Sequence, residues 1–278
     1  MKRPYLIVAH DYRRQSAGVR ALHRLCHHLN EAGYDAFVET PHIHPDWNEK
    51  TADESLRLEL ARDGIVVYPE VEEGNNLQAQ RVVRFILNAP GLIRGSGVFC
   101  ENEILFGYCG LMRRYLRDEM NILTVPVAQT NLFRTESDQS MRAGGLYWIG
   151  KEATTAGPEA EGWLQITLDW PVSWEQLSEL FRRRGLFISY TMYTHLLVEA
   201  RLCGCPAAVI PNGRYNRLEF GFGTPGGMDG LAWGITPDEI SRAVLTVERY
   251  PEAYNRNVVG RYLKQLDRFI QITQRWEH

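Results

Sequence analysis

Lysine is scarce in this chain. Only Lys2, Lys50, Lys151 and Lys264 are lysine, and the other 27 of its 31 basic residues are arginine. Arginine is the better bidentate partner for phosphate, although a GC-rich genome gives the same bias. Charge of one sign is missing too. The 31 basic and 34 acidic residues leave −3 at pH 7, which is not the footprint of a duplex-binding protein. No apolar run approaches the roughly 20 residues of a membrane span. The run Tyr5 to Ala9 is followed by His10, Asp11, Arg13 and Arg14, so it is too short for a signal core. Cysteine is sparse, and its five residues (Cys26, Cys100, Cys109, Cys203, Cys205) form no C-x-x-C pair. All five are expected to be small buried hydrophobes in a reducing cytosol. His42 and His44 have no third ligand at useful spacing, so a loop pair is expected rather than a metal.

What is present is ordinary globular material. Hydrophobic residues make up 44% and charged residues 23% of 278, enough apolar surface to offset chain entropy. That length suits one large domain or two compact ones. Short apolar runs alternate with amphipathic stretches. Tyr5–Ala9, 36–38, 64–68, 98–100 and 122–127 read as strands. Val19, Leu22, Leu25, Cys26 and Leu29 read as a helix stopped by Gly33, and Asn75 or Asn76 is expected to cap a helix carrying Val82 to Leu87. After a polar linker at 134–144 the rhythm restarts. Strands are expected at 145–150, 164–167, 186–189 and 207–210. Helices are expected near Trp174–Arg184 and Tyr193–Cys203, from Pro237, and from about Pro251 to Trp276. This is the βαβ rhythm of parallel sheets.

Ligands of such sheets sit past the carboxyl ends of strands, which selects three segments. The loop His10 to Arg20 leads through Gly18 into a helix start, where His10 or Asp11 could serve as a base; a plain strand end is the competing reading. Lys151 follows Gly150 just past a strand and is a candidate phosphate contact, against an ordinary surface lysine. Ser189 to Pro206 runs from a strand end through Tyr190, Thr191, Thr194 and His195 into a helix. Thr194 is a candidate cap. Glu199, among apolar neighbours, needs a partner: a ligand hydroxyl pair or an arginine. Other features are weaker. Glu101-Asn102-Glu103 could line a cleft but reads better as a helix start. Gly221 to Gly227 lacks the ending of a P-loop and reads as a mobile loop. Arg113, Arg114 and Arg117 suit anionic lipid, with a solvated helix face as the default.

From Leu196 to Ile210 the pattern Leu-x-x-Glu-Ala, then Gly-x-Pro, then a strand resembles the donor half of a GT-B glycosyltransferase of the retaining, sugar-nucleotide-dependent kind. The strand near Tyr147, the exit Asn131-Leu132-Phe133 and the helix start Ser16 to Arg20 are similar to other parts of that family. Where members carry Glu-x7-Glu, this chain has Thr191 and Glu199. The resemblance implies an α/β protein of two Rossmann-like domains with an interdomain cleft. Residues 1–133 would be the acceptor-side domain, 134–144 the linker, 145–250 the donor-side domain, and 251–278 a helix crossing back. It implies Gly18 and Arg20 at the donor sugar, Lys151 on the phosphates (with Arg20 or Arg217 as second cation), Tyr190 and Thr191 in the donor site, the N–H groups near Thr194 and His195 on the diphosphate, and Glu199 on the ribose. No cofactor or metal is implied. The donor would be a nucleotide diphosphate sugar and the acceptor a glycan, lipid-linked or other hydroxyl, in the cytoplasm or at the inner face of the membrane. A GT-B-shaped epimerase and a non-catalytic sugar-nucleotide or glycan-binding subunit are the alternatives, since fold alone does not give function.

Overall fold

A computed structural model describes residues 2–136 and 142–276. The chain forms two compact units, Met1–Val127 with Arg261–His278, and Ala128–Gly260. Of the linker expected at 134–144, residues 137–141 lie outside the described residues.

The first unit contains β1 (Tyr5–Ile7), α1 (Ala17–Glu31), β2 (Ala36–Val38), β3 (Lys50–Thr51), α2 (Glu54–Asp63), β4 (Ile65–Pro69), β5 (Val82–Ile86) and β6 (Ile104–Gly107). The strands are all parallel, in the order β3-β2-β1-β4-β5-β6. Strands β1, β4 and β5 are buried along their whole length, as expected where helices or loops cover both faces of a parallel sheet. Helix α1 begins where the Ser16 hydroxyl accepts from the Val19 N–H. Val19, Leu22, Leu25, Cys26 and Leu29 form its buried stripe, each large side chain contributing about 1.5–3 kcal/mol.

The second unit contains β7 (Gly145–Trp148), β8 (Leu164–Gln165), α3 (Trp174–Arg183), β9 (Leu186–Ser189), α4 (Leu196–Leu202), β10 (Ala207–Val209), α5 (Arg217–Gly223), β11 (Leu231–Trp233), α6 (Pro237–Thr246) and α7 (Tyr250–Tyr254). Its parallel sheet runs β11-β10-β9-β7-β8. Buried Arg201 ties it together: its guanidinium donates to Leu197 O and Gly227 O and lies 3.7 Å from the Tyr250 ring centroid. A π-helical turn at Asn255–Val259 leads into α8 (Gly260–Gln274). From Arg261 onward α8 belongs to the first unit. There the Tyr5 hydroxyl and Thr273 Oγ1 are 2.7 Å apart, and the Gln265 side chain accepts from the Thr124 N–H. The strand order of the first unit is 3-2-1-4-5-6. Counted from β7, that of the second is 2-1-3-4-5. Both are doubly wound, Rossmann-like orders.

Several local expectations are corrected. Residues 82–86 form a strand, not a helix, because Val82, Val83, Phe85 and Ile86 are buried on both faces of a central strand. The helix expected from Asn75 is replaced by a turn closed by that side chain, which bonds both N–H and C=O of Ala79. Val98 and Cys100 are exposed and form no strand; that strand is β6. Residues 122–127 form no full strand and keep one bridge to β6, Gly107 to Ile122, made by the Gly107 N–H on Asn121 O and the Leu123 N–H on Gly107 O. Glu103 starts no helix: it pairs bidentately with Arg84 at 2.9 and 3.0 Å, both side chains buried. The glycine-rich run begins inside α5, started by a reciprocal Asn216–Glu219 capping box, and the long terminal helix is interrupted by the π-turn.

Candidate functional site

In doubly wound sheets the ligand crevice lies beyond the carboxyl ends of the strands, where the strand order reverses. In the second unit that point falls between β7 and β9. Gly150 follows β7 at φ +73°, a conformation only glycine takes readily. A Cβ there would lie 2.7 Å from Thr191 Cβ. Lys151 comes next and is exposed, and then Glu152, whose side chain is 3% exposed.

Glu152 is the centre of this edge. Its Oε2 accepts from the Thr191 hydroxyl at 2.7 Å and the Met192 N–H at 2.6 Å. Its Oε1 accepts from Asn212 Nδ2 at 3.1 Å and Arg214 Nε at 2.9 Å. Burial pushes this carboxyl up, but the four donors outweigh it and hold its pKa below the ordinary value. Strands β7, β9 and β10 therefore deliver three loops to one carboxylate.

The other candidates of this unit fall into two groups. Tyr190 is buried; its hydroxyl donates to Glu159 at 2.7 Å and accepts from the Gly157 N–H at 2.9 Å. Burial, then the Glu159 bond, pushes this phenol up to about 12. Glu199 is buried in the first turn of α4 with its Oε1 3.1 Å from His195 Nδ1. One partner is thus a histidine four residues back, where the sequence leaves a ligand hydroxyl pair or an arginine as the expectation. Thr194 is not the residue adjoining α4, which is His195. The Thr194 hydroxyl accepts from the Leu196 N–H, and the N–H groups of Leu197 and Val198 bond Thr194 O and His195 O. These N–H groups of the first turn thus meet acceptors within the chain.

In the first unit the order reverses between β1 and β4. His10 and Asp11 are exposed there and, with Arg13 and Thr40, line a depression of about 520 Å³. The Asp11 carboxylate accepts from the Thr40 hydroxyl and lies 3.5 Å from His42 Nδ1. The loop is held from beneath. His23 Nε2 donates to His10 O at 2.9 Å, and its Nδ1 lies 3.2 Å from both Glu49 oxygens. The His23 and Glu49 side chains are 0% exposed. Gly18 lies in ordinary helix, where a Cβ would meet Leu87 Cδ1 and Cβ at 3.6 and 3.9 Å. Arg20 is buried with its guanidinium on Val127 O.

Glu152, Asn212, Arg214, His23 and Glu49 were not singled out by sequence. For Glu152 a signal existed: it directly follows Lys151 past a strand end. Among the described residues, no group of three or more His, Cys, Asp or Glu could hold a metal, and no helix is long and apolar enough to cross a membrane. Four cysteines are buried as expected; Cys100 is exposed.

No family model matches this chain, and no curated protein matches it in sequence. Among solved structures, Os79 from O. sativa in complex with UDP is similar over 97% of this chain and 95% of its own, with 12% identity and a TM-score of 0.41.

Proposed function

We propose that the chain is a glycosyltransferase of GT-B architecture, moving a sugar from a nucleoside diphosphate donor to a hydroxyl of a glycan or lipid-linked acceptor. The observation that supports it best is the set of polar side chains at the strand-order reversal of the second unit. Lys151 and Arg214 lie on the loops after β7 and β10, and His195 and Glu199 lie at the start of α4. On this reading Lys151 takes the diphosphate and Glu199, oriented by His195, takes the ribose. The leaving group is a diphosphate, so the chemical demand is to stabilise developing negative charge. Fixed cations meet that demand without reorganising during reaction. If configuration is retained, the leaving phosphate accepts the acceptor proton. If it is inverted, His10 or Asp11 on the first unit is the base.

A thermal-shift series with UDP-, GDP- and dTDP-sugars, with a CMP-sugar as monophosphate control, tests the donor class. A ligand at 100 times its dissociation constant stabilises by about 2.7 kcal/mol, several degrees for a chain of this size. Release of nucleoside diphosphate only in the presence of acceptor then separates transfer from epimerisation. A chain that none of the diphosphate sugars stabilises is not a transferase of this class.

A further inference from the structure

We propose that Glu152 is a positioning residue: it binds no ligand itself and aims Arg214 at the diphosphate that Lys151 contacts. The inference rests on the donor-site reading above and adds a second cation and its anchor.

The geometry of the carboxylate carries it. An ionised carboxylate has about four acceptor positions. Glu152 uses them on Thr191 Oγ1, Met192 N, Asn212 Nδ2 and Arg214 Nε. That leaves no position for a ribose or sugar hydroxyl and makes the group a poor base. Its donors come from the loops after β9 and β10, while it stands itself on the loop after β7. One buried charge thus clamps three loops at the point where a doubly wound sheet receives its ligand.

Burying a carboxylate has a desolvation cost of several kcal/mol, and an apolar side chain could seal three loops as well. What an apolar side chain lacks is the ability to fix a guanidinium. Arg214 is gripped through Nε, and because the guanidinium is a planar, rigid fork, a bond at that atom sets the plane and direction of the whole group. The Glu152 side chain is 3% exposed and that of Arg214 is 33% exposed, so the arginine extends from a buried anchor toward solvent. Lys151, the chain neighbour of Glu152, is exposed at the same edge. Its loop is fixed by Gly150, whose backbone packs against Thr191. A forked cation and a point cation on two loops joined through Glu152 fit a diphosphate, which offers oxygens on two phosphorus centres.

Of the other arginines considered for this role, Arg20 is buried in the first unit and Arg217 donates through both Nε and Nη2 to Glu239.

Calorimetry on the full chain tests this with UDP, GDP and dTDP, each paired with its nucleoside. Arg214→Ala is expected to weaken the diphosphate at least tenfold and the nucleoside less than twofold. Glu152→Gln puts an amide N–H where two protein donors point. It should weaken the diphosphate in the same selective way, and the double variant should lose no more than Arg214→Ala alone. Arg214→Lys keeps the charge without the fork and should recover only part of the loss. That comparison does not require Glu152→Gln to fold. Equal losses of diphosphate and nucleoside in Glu152→Gln, or full affinity in Arg214→Lys, would show Glu152 to be a structural clamp only. Wild-type affinity in Glu152→Gln or in Arg214→Ala overturns the proposal and leaves the donor-site reading standing. Failure of all three diphosphates to bind the wild-type chain removes that reading and this proposal together.

Discussion

The first unit supports the loop after β1 from beneath, with His23 and Glu49, whereas the second unit builds its carboxylate, Glu152, into the loop after β7 itself. Both carboxylates are buried, at 0% and 3% side-chain exposure. Their partners differ in kind. Glu49 lies between the His23 imidazole, whose other nitrogen bonds the His10 carbonyl, and the His44 N–H. Glu152 is met by an amide, a hydroxyl, a backbone N–H and a guanidinium. The first edge leaves His10 and Asp11 exposed on a supported loop. The second edge gathers four donors from two further loops on one carboxylate.

The largest expected effect removes the support of the first edge. Glu49→Ala removes the carboxylate beside His23 Nδ1 and the His44 N–H, and each buried polar group left unsatisfied costs about 1–3 kcal/mol. Denaturant unfolding should register that loss, and Glu152→Gln, which keeps its volume, should lose less. If the two variants unfold alike, the contrast between support from beneath and support within the loop is wrong.

Gly150→Ala comes next. The left-handed backbone costs an L-residue roughly 1–2 kcal/mol, and the new Cβ would press on Thr191 Cβ and Cγ2, each 2.7 Å away. The melting temperature should fall by a few degrees, and nucleoside diphosphate affinity should fall with it. An unchanged melting temperature would mean that the loop after β7 is not held by this contact.

A smaller effect is specific to the second unit and to acid. Burial pushes the Glu239 carboxyl up, but bonds from the Trp233 N–H, Arg242 and Arg217 outweigh it and hold the pKa at about 2 against an ordinary 4.5. A pKa depressed on folding contributes stability that is present above the unfolded value and lost as pH falls through the folded one. Glu239→Gln should therefore flatten the acid limb between about pH 4.5 and pH 2 and leave the slope near neutrality unchanged. A steeper acid limb in the variant would reverse the sign of this linkage.

What the sequence made legible follows from distance along the chain. Strands β1, β4, β7, β9 and β10 are short apolar runs closed by polar or glycine residues, and their period is local. The His195–Glu199 pair is also local, four residues apart on one helix, and Glu199 was recognised as a buried acid in need of a partner. Strand β5 does not read as a strand because Arg84 interrupts its apolar run. That arginine is accommodated there by Glu103, 19 residues on, and by the carbonyls of Glu72 and Gly74. Glu152 is illegible in the sequence for the same reason: its partners stand 39 to 62 residues away, and until strands β9 and β10 bring them in it reads as a surface acid beside Lys151.

The smallest effect returns to the first edge and to a residue the sequence favoured. Gly18 was expected to let the backbone approach a sugar, yet it lies in the first turn of α1 without a positive φ. A Cβ there would meet only Leu87 Cδ1 and Cβ, at 3.6 and 3.9 Å, which is ordinary contact. Alanine is the better helix residue by about 0.5–1 kcal/mol in a helix interior, and less at this second helical position. Gly18→Ala should therefore leave the melting temperature level or slightly raised. Nucleotide affinity should not move, because Lys151 and Glu199 belong to the other unit. Sugar transfer should also persist, because the methyl group enters space beside Leu87. Melting, calorimetry and transfer measured on one preparation decide the matter. If transfer is lost while melting and nucleotide affinity are unchanged, a ligand must reach the backbone at Gly18.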